Sequence, residues 1–436
     1  MSDFDKKYNI VDENTPPQTL MCGRYKKSFA YYTIRERLPV ILTQVLDNLS
    51  RDKDAIAKEY GEKVREELKE IVGNISKLKY ELQTDKPLTT FTGDEPDKEL
   101  WNQFIDALDP ENNSFFKTCW LYAECYVYRR LSSFFEETYL LKRFDYFQKQ
   151  KENALVKWAD TLEVVVRRIR SYNGEKDLGG FFKHLLKLNL WGNRCDLSIS
   201  EGREILQSGD PFSAIDSLDE YILVNQSSDI WNCLTSESSK VVEFINDNSG
   251  YEIFTDFLIA EFLIDHGLAS KIRFNVKPIP WFISDVTPAD FQWTLSYLSN
   301  HQSQTLKEVG IKWKEYLKLG TFELEEPNYF WTSPYEFYRM QEVCETLYKK
   351  LSEAHLIIFK GDLNYRKLIG DFTWDYTEEF QTCLRSFRPT NLCSLRTVKA
   401  DLICGLQNGV AESLSATNPS WMTTGEYGVI QFASKN

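Results

Sequence analysis

With 436 residues, of which 42% are hydrophobic and 27% charged, the chain has the length and composition of a folded globular protein with a large core. Its formal net charge is −13, which argues against a dedicated binder of nucleic acid or of an anionic membrane, since both need a positive surface. We therefore expect neither a nucleic acid nor a membrane among its partners.

The first half of the chain is predicted to be mainly helical. Residues 51–82 carry apolar positions at helical spacing among mixed charges, which is typical of a solvated amphipathic helix. Residues 85–113 contain three prolines and predict loops. Residues 115–170 return to a helical pattern, and their aromatic residues, spaced three and four apart, indicate core packing.

From about residue 216, short apolar runs alternate with helical patterns, which predicts a parallel sheet with crossover helices. The main strand candidates are Lys240–Ile245, Ile272–Val276, His355–Phe359 and Asp401–Leu406, with Gly428–Phe432 as a further strand at the edge. We expect an α/β fold, with an open, mostly parallel sheet between helical layers and a helical N-terminal region. Residues 1–215 are predicted to form that region and residues 216–436 the α/β domain, packed together or as one continuous unit.

Polar side chains follow three of the predicted strands. The first strand leads into Asp247 and Asn248, the second is followed by Asp285, and the third leads into Asp362 and Arg366. Open parallel sheets bind ligands at the carboxyl ends of their strands. Carboxylate and amide oxygens suit Mg²⁺ or Mn²⁺, while arginine and the lysine that follows it suit phosphate. The pattern therefore predicts a divalent cation with a phosphate group beside it.

Metal ligands other than oxygen are not indicated. The four histidines lie far apart and HExxH is absent, while the nine cysteines occur singly without a CxxC pair. Scattered cysteines are typical of reduced thiols in the cytosol or nucleus. The polar opening segment does not resemble a targeting signal, and no apolar run is long enough to cross a membrane. We expect a cytoplasmic protein with access to the nucleus.

The polar residues of each of these segments can also be explained by local structure alone, without a role in a functional site. Asp247 and Asn248 precede Ser-Gly, and such residues are common in tight turns. Ser249 and Glu252 fit the S-x-x-E capping box, which by itself explains Glu252. The segment Asp362–Arg366 places polar side chains at alternate positions, which would face the site in an extended loop but also suit an ordinary turn.

Weaker site candidates lie elsewhere. Arg396 and Lys399 belong to an RTxK sequence, placed before the last main strand, in which two cations flank a hydroxyl group as a phosphate site requires. Asn193 and Asp196 lie in a polar segment after Gly192, where we predict that an apolar helix stops and that both residues serve as turn and cap.

Several segments together resemble the damage-control phosphatase family, formerly a numbered domain of unknown function (89). They are LWGNRCDLS (190–198), FINDNSGYE (244–252), the proline-bearing loop up to Asp285, KGDLNYRKL (360–368) and RTVK (396–399). They occur in the family's order, and the likeness extends to FAYYTIRERLP, which begins at Phe29. The RTxK sequence points to the third subfamily.

The resemblance implies a metal-dependent phosphatase that acts on sugar phosphates such as fructose 1-phosphate and fructose 6-phosphate and removes harmful phosphometabolites. It implies Mn²⁺, Co²⁺ or Ni²⁺ as the metal, with Mg²⁺ as a further candidate. Asp247 and Asn248 would be catalytic, and with Asp285 they would bind the metal. The implied substrate contacts are Asp247, Asn248, Asp362, Leu363, Asn364, Tyr365, Arg366 and Lys399.

Two rival functions remain at this point. An animal member of the subfamily is named as a methyltransferase of acidic residues, so S-adenosylmethionine could methylate carboxylates of a partner protein, with Glu252 and Asp285 as contacts for the methyl donor. The chain contains no GxG loop for such a cofactor. The second rival is a non-catalytic protein that binds a partner through its acidic surface. A P-loop NTPase is excluded because GxxxxGK[ST] is absent.

Overall fold

The computed structural model of the chain describes residues 3–172, 177–197, 215–237 and 240–435. Before residue 198 the described elements are helical. They are α1 (Asp3–Tyr8), α2 (Phe29–Tyr32), α3 (Leu38–Tyr60), α4 (Val64–Gln83), α5 (Lys98–Asp106), α6 (Trp120–Glu136), α7 (Gln148–Ser171) and α8 (Leu178–Leu197). A π-helix, Thr33–Arg37, joins α2 to α3. Within the described ranges, no helix is both long and apolar enough to cross a membrane.

A seven-stranded sheet follows. Its strands are β1 (Ile222–Asn225), β2 (Val241–Ile245), β3 (Lys271–Asn275), β4 (Phe322–Leu324), β5 (Leu356–Lys360), β6 (Asn391–Thr397) and β7 (Gly428–Ala433). Their order is β1-β7-β6-β5-β2-β3-β4. The strands from β6 to β4 in this order are parallel, while β7 runs antiparallel to β6 and parallel to β1. The predicted open, mostly parallel α/β sheet is confirmed.

The remaining helices connect these strands or cover them. They are α9 (Ser227–Thr235), α10 (Tyr251–Asp265), α11 (Pro288–Ser299), α12 (Gln304–Leu319), α13 (Met340–Val343), α14 (Glu345–Leu351), α15 (Gly361–Ile369), α16 (Phe380–Cys383) and α17 (Val410–Thr417). Two of them, α10 and α15, begin almost directly after β2 and β5. Their first turns therefore lie at the carboxyl edge of the sheet, where parallel folds bind ligands.

The sheet separates two hydrophobic cores. Because side chains of a strand alternate between its faces, Ile245 and Phe359 belong to the core under α3–α6, while Phe244 and Ile358 belong to the core under α7, α8 and α10–α12. The layers are therefore helix, sheet and helix, and helices from the first half of the chain cover both faces. The proposed division at residues 215 and 216 stays a prediction.

Two strand predictions are wrong. Asp401–Leu406 is a loop, although Leu402, Ile403 and Cys404 are buried in it, and the strand is the preceding segment β6. The segment was overlooked because it buries Ser394 and Arg396, both inaccessible to solvent, among its apolar residues. The strand β7 is not at the edge, since it lies between β1 and β6. The short strands β1 and β4, which the sequence did not indicate, form the edges.

Three helix predictions also need correction. The segment 51–82 is not one helix, because α3 ends at Tyr60 and Gly61, with φ +93°, turns the chain into α4. The segment 115–170 is divided between α6 and α7. The predicted stop at Gly192 is wrong, since α8 continues to Leu197. A Cβ at Gly192 would lie 2.8 Å from the Tyr251 ring, so this glycine permits close packing inside a helix.

As a consequence, the predicted turn and cap roles of Asn193 and Asp196 do not hold, because both positions lie on α8. Their side chains lie outside the residues that the structure describes, so their candidacy for the site stays a prediction.

Candidate active site at the carboxyl edge of the sheet

A cavity of about 130 Å³ opens at the carboxyl edge of β2, β3, β5 and β6. We call it the site cavity. It is lined by Phe29, Arg37, Trp120, Glu124, Asp247, Asn248, Phe282, Asp285, Asp362, Leu363, Arg366 and Lys399. Seven of these residues were candidates from the sequence, and they come from four separate segments that the sheet brings together.

Asp247 and Asn248 follow β2 directly and are fixed by strand-like hydrogen bonds to the loop after β3. Val286 N donates to Asp247 O at 2.8 Å, and Ser249 N donates to Ser284 O at 2.8 Å. Asn248 and Asp285 form an isolated antiparallel bridge. These backbone bonds place Asp285 beside the Asp-Asn pair, although Asn248 and Asp285 are 37 positions apart in the sequence.

The loop before Asp285 has a strained backbone. Phe282 and Ile283 have φ values of +42° and +71°, and a β-branched residue is rare in that region because its side chain crowds the backbone. The Phe282 ring stacks on the Tyr128 ring of α6 at 4.5 Å between centroids. Strain of this kind persists where the surroundings dictate it, and here it directs Phe282 and Asp285 into the site cavity.

The two aspartates are buried close together. Burial raises the pKa of Asp247 well above its ordinary value, and the nearby charges of Glu252 and Asp285 raise it further. Burial also raises the pKa of Asp285 to about 7, against the opposing effect of Lys277, whose Nζ lies 3.5 Å from Asp285 Oδ2. Ionised carboxylates in such a place need a nearby positive charge.

The donor set fits a hard divalent cation. Asp285 Oδ2 is a buried oxygen without a hydrogen-bond partner in the part of the chain that the structure describes. With Asp247 and Asn248 beside it, the site offers carboxylate and carboxamide oxygens, the ligands that Mg²⁺ and Mn²⁺ accept together with water and substrate. The described residues include no cluster of three histidine, cysteine, aspartate or glutamate side chains arranged as a metal site, so water and substrate would complete the coordination.

A buried polar network lies beneath the Asp-Asn pair. Lys360 Nζ donates to Glu252 Oε1 at 2.6 Å and lies 3.2 Å from Asp256 Oδ1. Asn248 Nδ2 donates to Glu252 Oε2 at 2.8 Å and to Asp247 Oδ2 at 2.7 Å. Both oxygens of Glu252 are therefore engaged, and its carboxylate orients Asn248 without bordering the site cavity.

The predicted capping box is wrong. The N-cap of α10 is Gly250, with φ +77°, and it has no side-chain capping bond. Ser249 Oγ instead donates to Ser284 O at 3.0 Å, because Ser249 belongs to the paired segment and not to the helix. Glu252 instead accepts hydrogen bonds from Lys360 and Asn248.

The segment Asp362–Arg366 is helical, not extended, because α15 begins at Gly361 with no loop after β5. In a helix, positions i and i+4 lie on the same face, which brings Asp362 and Arg366 together, and Leu363 is in the same first turn. Accordingly Asp362, Leu363 and Arg366 border the site cavity. The expectation that alternate side chains would face the site is wrong.

The other members of the segment face away from the site cavity. Asn364 Nδ2 donates to Lys360 O at 2.8 Å, and Tyr365 is fully buried with its hydroxyl 3.3 Å from Cys404 Sγ. Lys367 Nζ donates to three backbone carbonyls, with Ser333 O closest at 2.9 Å. Burial lowers the pKa of Lys367 to about 8. The prediction that this lysine binds phosphate is wrong, because its ammonium group already donates to these carbonyl oxygens.

A glycine is required where β5 passes into α15. Gly361 has φ +82°, and a Cβ there would lie 1.9 Å from Asp247 Oδ2. The Asp247 carboxylate thus occupies the space that any side chain at position 361 would need. The arrangement brings Asp247 against the first turn of α15, whose free backbone N–H groups favour anions.

Arg366 is already held by carboxylates. Its Nε and Nη2 donate to the two oxygens of Asp371 at 2.7 and 3.0 Å, and its Nη1 donates to Glu124 Oε2 at 2.6 Å. The guanidinium also lies 3.5 Å from the centre of a Trp120 ring. It still borders the site cavity, but three of its five N–H groups face protein carboxylates.

The RTxK sequence lies at the end of a strand, not before one. Arg396 and Thr397 are the last residues of β6, so the predicted placement is wrong. Arg396 does not border the site cavity. Its Nε donates to Asp362 Oδ1 at 2.7 Å, and its Nη groups donate to Leu402 O and Ala400 O. It therefore orders the loop that carries Lys399, which does border the site cavity.

Five lining residues were not predicted from the sequence. They are Phe29, Arg37, Trp120, Glu124 and Phe282. The only signal for the first two was that they lie in the FAYYTIRERLP segment of the family resemblance. The others are one acidic and two aromatic residues in patterns that indicate helix or loop packing, so nothing in their spacing points to a ligand.

Comparisons with known proteins identify the family of the chain. The family model "Damage-control phosphatase ARMT1-like domain" matches residues 33–414. The chain is 42% identical to "Damage-control phosphatase ARMT1" of Danio rerio, covering 96% of this chain and 97% of that protein. It is 37% identical to the protein of that name in Homo sapiens, covering 94% and 98%. A crystal structure of a DUF89 family protein from Pyrococcus horikoshii covers 86% of this chain and 96% of that chain, with 14% identity and a TM-score of 0.47.

Proposed function

The chain belongs to the damage-control phosphatase ARMT1-like family, and from this premise we propose that it is a metal-dependent phosphatase that hydrolyses small sugar phosphates. The observation that carries the proposal is the pair of buried carboxylates of Asp247 and Asp285 at a cavity that Arg37, Arg366 and Lys399 also border. Asp285 Oδ2 makes no hydrogen bond within the described residues, and its nearest cation is Lys277 Nζ at 3.5 Å. Oxygen ligands for a cation and side-chain cations for an anion thus face the same small space.

Asp247, Asn248 and Asp285 would hold the divalent cation, for which we propose Mn²⁺, with Co²⁺, Ni²⁺ and Mg²⁺ as alternatives. When bound, such an ion neutralises phosphate charge and polarises the phosphoryl group. The bonds from Asn248 Nδ2 to Asp247 and Glu252 fix the plane of the carboxamide before substrate arrives. This order reduces the rearrangement needed on binding.

The phosphate group lies against Lys399 and the first turn of α15 in this proposal. Their positive charge and N–H groups stabilise the charge that develops on the phosphoryl oxygens. Asp247 either attacks the phosphorus atom itself or orients the attacking water, since its Oδ2 adjoins the start of α15. The same position serves both roles, so Asp247 is the most sensitive residue of the site.

The rest of the site cavity suits a polar, compact leaving group. Phe29 and Phe282 border it and are only partly buried, so their rings offer apolar faces to the C–H groups of a sugar. At about 130 Å³, the space suits a phosphoryl group with part of a small sugar. We therefore propose fructose 1-phosphate and fructose 6-phosphate as first substrates to test, and small phosphorylated sugars as the natural class.

Methyl transfer from S-adenosylmethionine to a partner protein is the rival function. Of its two candidate contacts, Asp285 borders the site cavity, but Glu252 lies beneath it with both oxygens engaged. A methyl donor in this cavity would therefore meet only one of them. The geometry favours the phosphatase.

The test is phosphate release from a panel of sugar phosphates, with and without Mn²⁺, for the wild type and Asp247→Asn. We expect metal-dependent turnover that falls at least about 1,000-fold in the variant, the scale on which loss of a central catalytic group acts. The matched control is Asp54→Asn on α3, whose carboxylate is 77% exposed, and it should match the wild type. Absence of turnover with Mn²⁺ and, in the same assay, with Co²⁺, Ni²⁺ and Mg²⁺ would contradict the proposal. Calorimetric binding of S-adenosylmethionine would then support the rival.

A further inference from the structure

The three cations that border the site cavity differ in their surroundings. The guanidinium of Arg366 is fixed by Asp371 and Glu124, as described above. Arg37, in contrast, has no carboxylate within ion-pair distance among the described residues, although its charge partly offsets the burial that raises the pKa of Glu124. Its Cζ lies 5.4 Å from the centre of the Phe29 ring. Arg37 is therefore a cation at the site cavity that is not already bound to a protein carboxylate.

Arg37 owes this position to the π-helix between α2 and α3. The π-turn offsets the side chains within it, so that Arg35 lies over the Phe4 ring at 4.1 Å while Arg37 borders the site cavity. The helix α2, which precedes the π-helix, is hydrogen-bonded to the loop after β6, because Phe29 N donates to Asp401 Oδ2 at 2.9 Å. Single π-turns occur preferentially at functional sites.

The charges around the site call for a further cation. A divalent ion together with Lys277 would exceed the charge of Asp247 and Asp285 by one. The two carboxylates of Glu124 and Asp371 exceed the charge of Arg366 by one, which offsets that excess. A phosphate monoester dianion would then face Lys399 as a single positive charge. Arg37 supplies the second positive charge, and its flat guanidinium can donate two parallel N–H bonds to phosphate oxygens.

We propose that Arg37 contacts the phosphate group of the substrate directly, while Arg366 is a positioning residue that holds the cavity wall. This inference rests on the proposed function, since it takes the anion to be a phosphate monoester. The sequence pattern gave the phosphate contact to Arg366. The inference gives it instead to Arg37, which lies more than 300 positions away in the chain.

The experiment compares Arg37→Gln, Arg37→Lys and the control Arg35→Gln from the same π-helix. Calorimetry measures the affinity of each Mn²⁺-loaded protein for inorganic phosphate, and kinetics separates KM from kcat for the best sugar phosphate. We expect Arg37→Gln to weaken phosphate binding and raise KM by about 10-fold or more, as loss of a charged hydrogen bond implies. Arg37→Lys should recover part of the loss, and Arg35→Gln should match the wild type.

The outcomes separate the two proposals. The inference would be overturned if the affinity of Arg37→Gln for inorganic phosphate stayed within about twofold of the wild-type value. A raised KM with unchanged affinity for inorganic phosphate would overturn it as well, because Arg37 would then contact the sugar. A wild type that binds phosphate through Arg37 but hydrolyses no sugar phosphate would refute the proposed function and leave the inference standing. If Arg37→Gln does not fold, Arg37→Lys decides by the same measurements.

Discussion

The site cavity has two sides that are built differently. On the sheet side, Asp247, Asn248 and Asp285 are almost fully buried and are fixed by backbone pairing and by the Lys360 network. On the helical side, Phe29 and Arg37 come from the chain's first 40 residues and are more exposed. We infer from this difference that the sheet side fixes the positions of reacting groups, whereas the helical side adds groups that complete the binding of an anion.

The largest effect should come from removing the cation beneath the sheet side. Lys360→Met leaves Glu252 and Asp256, both almost wholly buried, without their shared partner. Loss of one partner from a buried ion network costs about 3–5 kcal/mol. We expect the free energy of unfolding in urea to fall by about that amount, with loss of activity.

The control for this variant is Lys349→Met. Lys349 pairs with Glu345 at 2.9 Å, but the two side chains are 70% and 60% exposed. Such a surface pair should change stability by less than about 1 kcal/mol. If the two substitutions lowered the free energy of unfolding equally, the buried network beneath the site would contribute no more to stability than a surface ion pair.

A smaller but more local effect is expected at the junction of β5 and α15. The Cβ of Gly361→Ala would displace the Asp247 carboxylate, and a shift of about 1 Å at a reacting group can lower kcat by about 100-fold. Gly409→Ala is the matched control, because Gly409 has φ +84° but nothing within 4 Å of its Cβ position. Both variants strain the backbone, but only Gly361→Ala also clashes with a buried group. Its unfolding temperature should therefore fall further than that of Gly409→Ala, and only Gly361→Ala should lose phosphate release.

The smallest effect concerns Asp401, which joins the two sides. Burial raises the pKa of Asp401 to about 6, although the bond from Phe29 N opposes the shift. The folded state therefore keeps this proton up to about pH 6, while the unfolded chain loses it from about pH 4. Stability should fall as pH rises through this window, by up to about 3 kcal/mol. Asp401→Asn should lose less stability between pH 4 and 6.5 in urea titrations.

Asp375→Asn is the control for that titration, with the opposite sign. Bonds from Thr377 hold the pKa of the exposed Asp375 carboxyl below its ordinary value, so its ionised form favours folding and the contribution grows as pH rises. Asp375→Asn removes this contribution, so the free energy of unfolding of the variant should rise slightly less with pH than that of the wild type. Parallel pH profiles for the wild type and Asp401→Asn would mean that Asp401 does not link the two sides through its charge.

The sheet side could be predicted from the sequence because a general rule places ligands at the carboxyl ends of parallel strands. Short apolar runs followed by Asp247, Asn248 and Asp285 were enough to apply that rule. The residues after β5 were harder, since Gly361 turns the strand directly into a helix and leaves no loop. Their alternate polar pattern therefore gave the wrong geometry while still marking the right segment.

The helical side could not be predicted in the same way. Glu124 meets Arg366 across 242 positions, and Phe29 N meets Asp401 across 372. No periodicity within a short window records such contacts. The strand β6 was missed for a related reason, because its Ser394 and Arg396 are polar side chains buried only by residues that lie far away in the sequence.

The position of β7 has a consequence for how the sheet assembles during folding. Residues 428–433 pair with β6 on one side and with β1 on the other, and their buried Val429 and Ile430 belong to the two cores on opposite faces of the sheet. Because β1 pairs with the rest of the sheet only through β7, any folding intermediate in which β7 is not yet in place has a divided sheet. Such an intermediate exposes the unpaired edges of β1 and β6, and exposed strand edges favour aggregation.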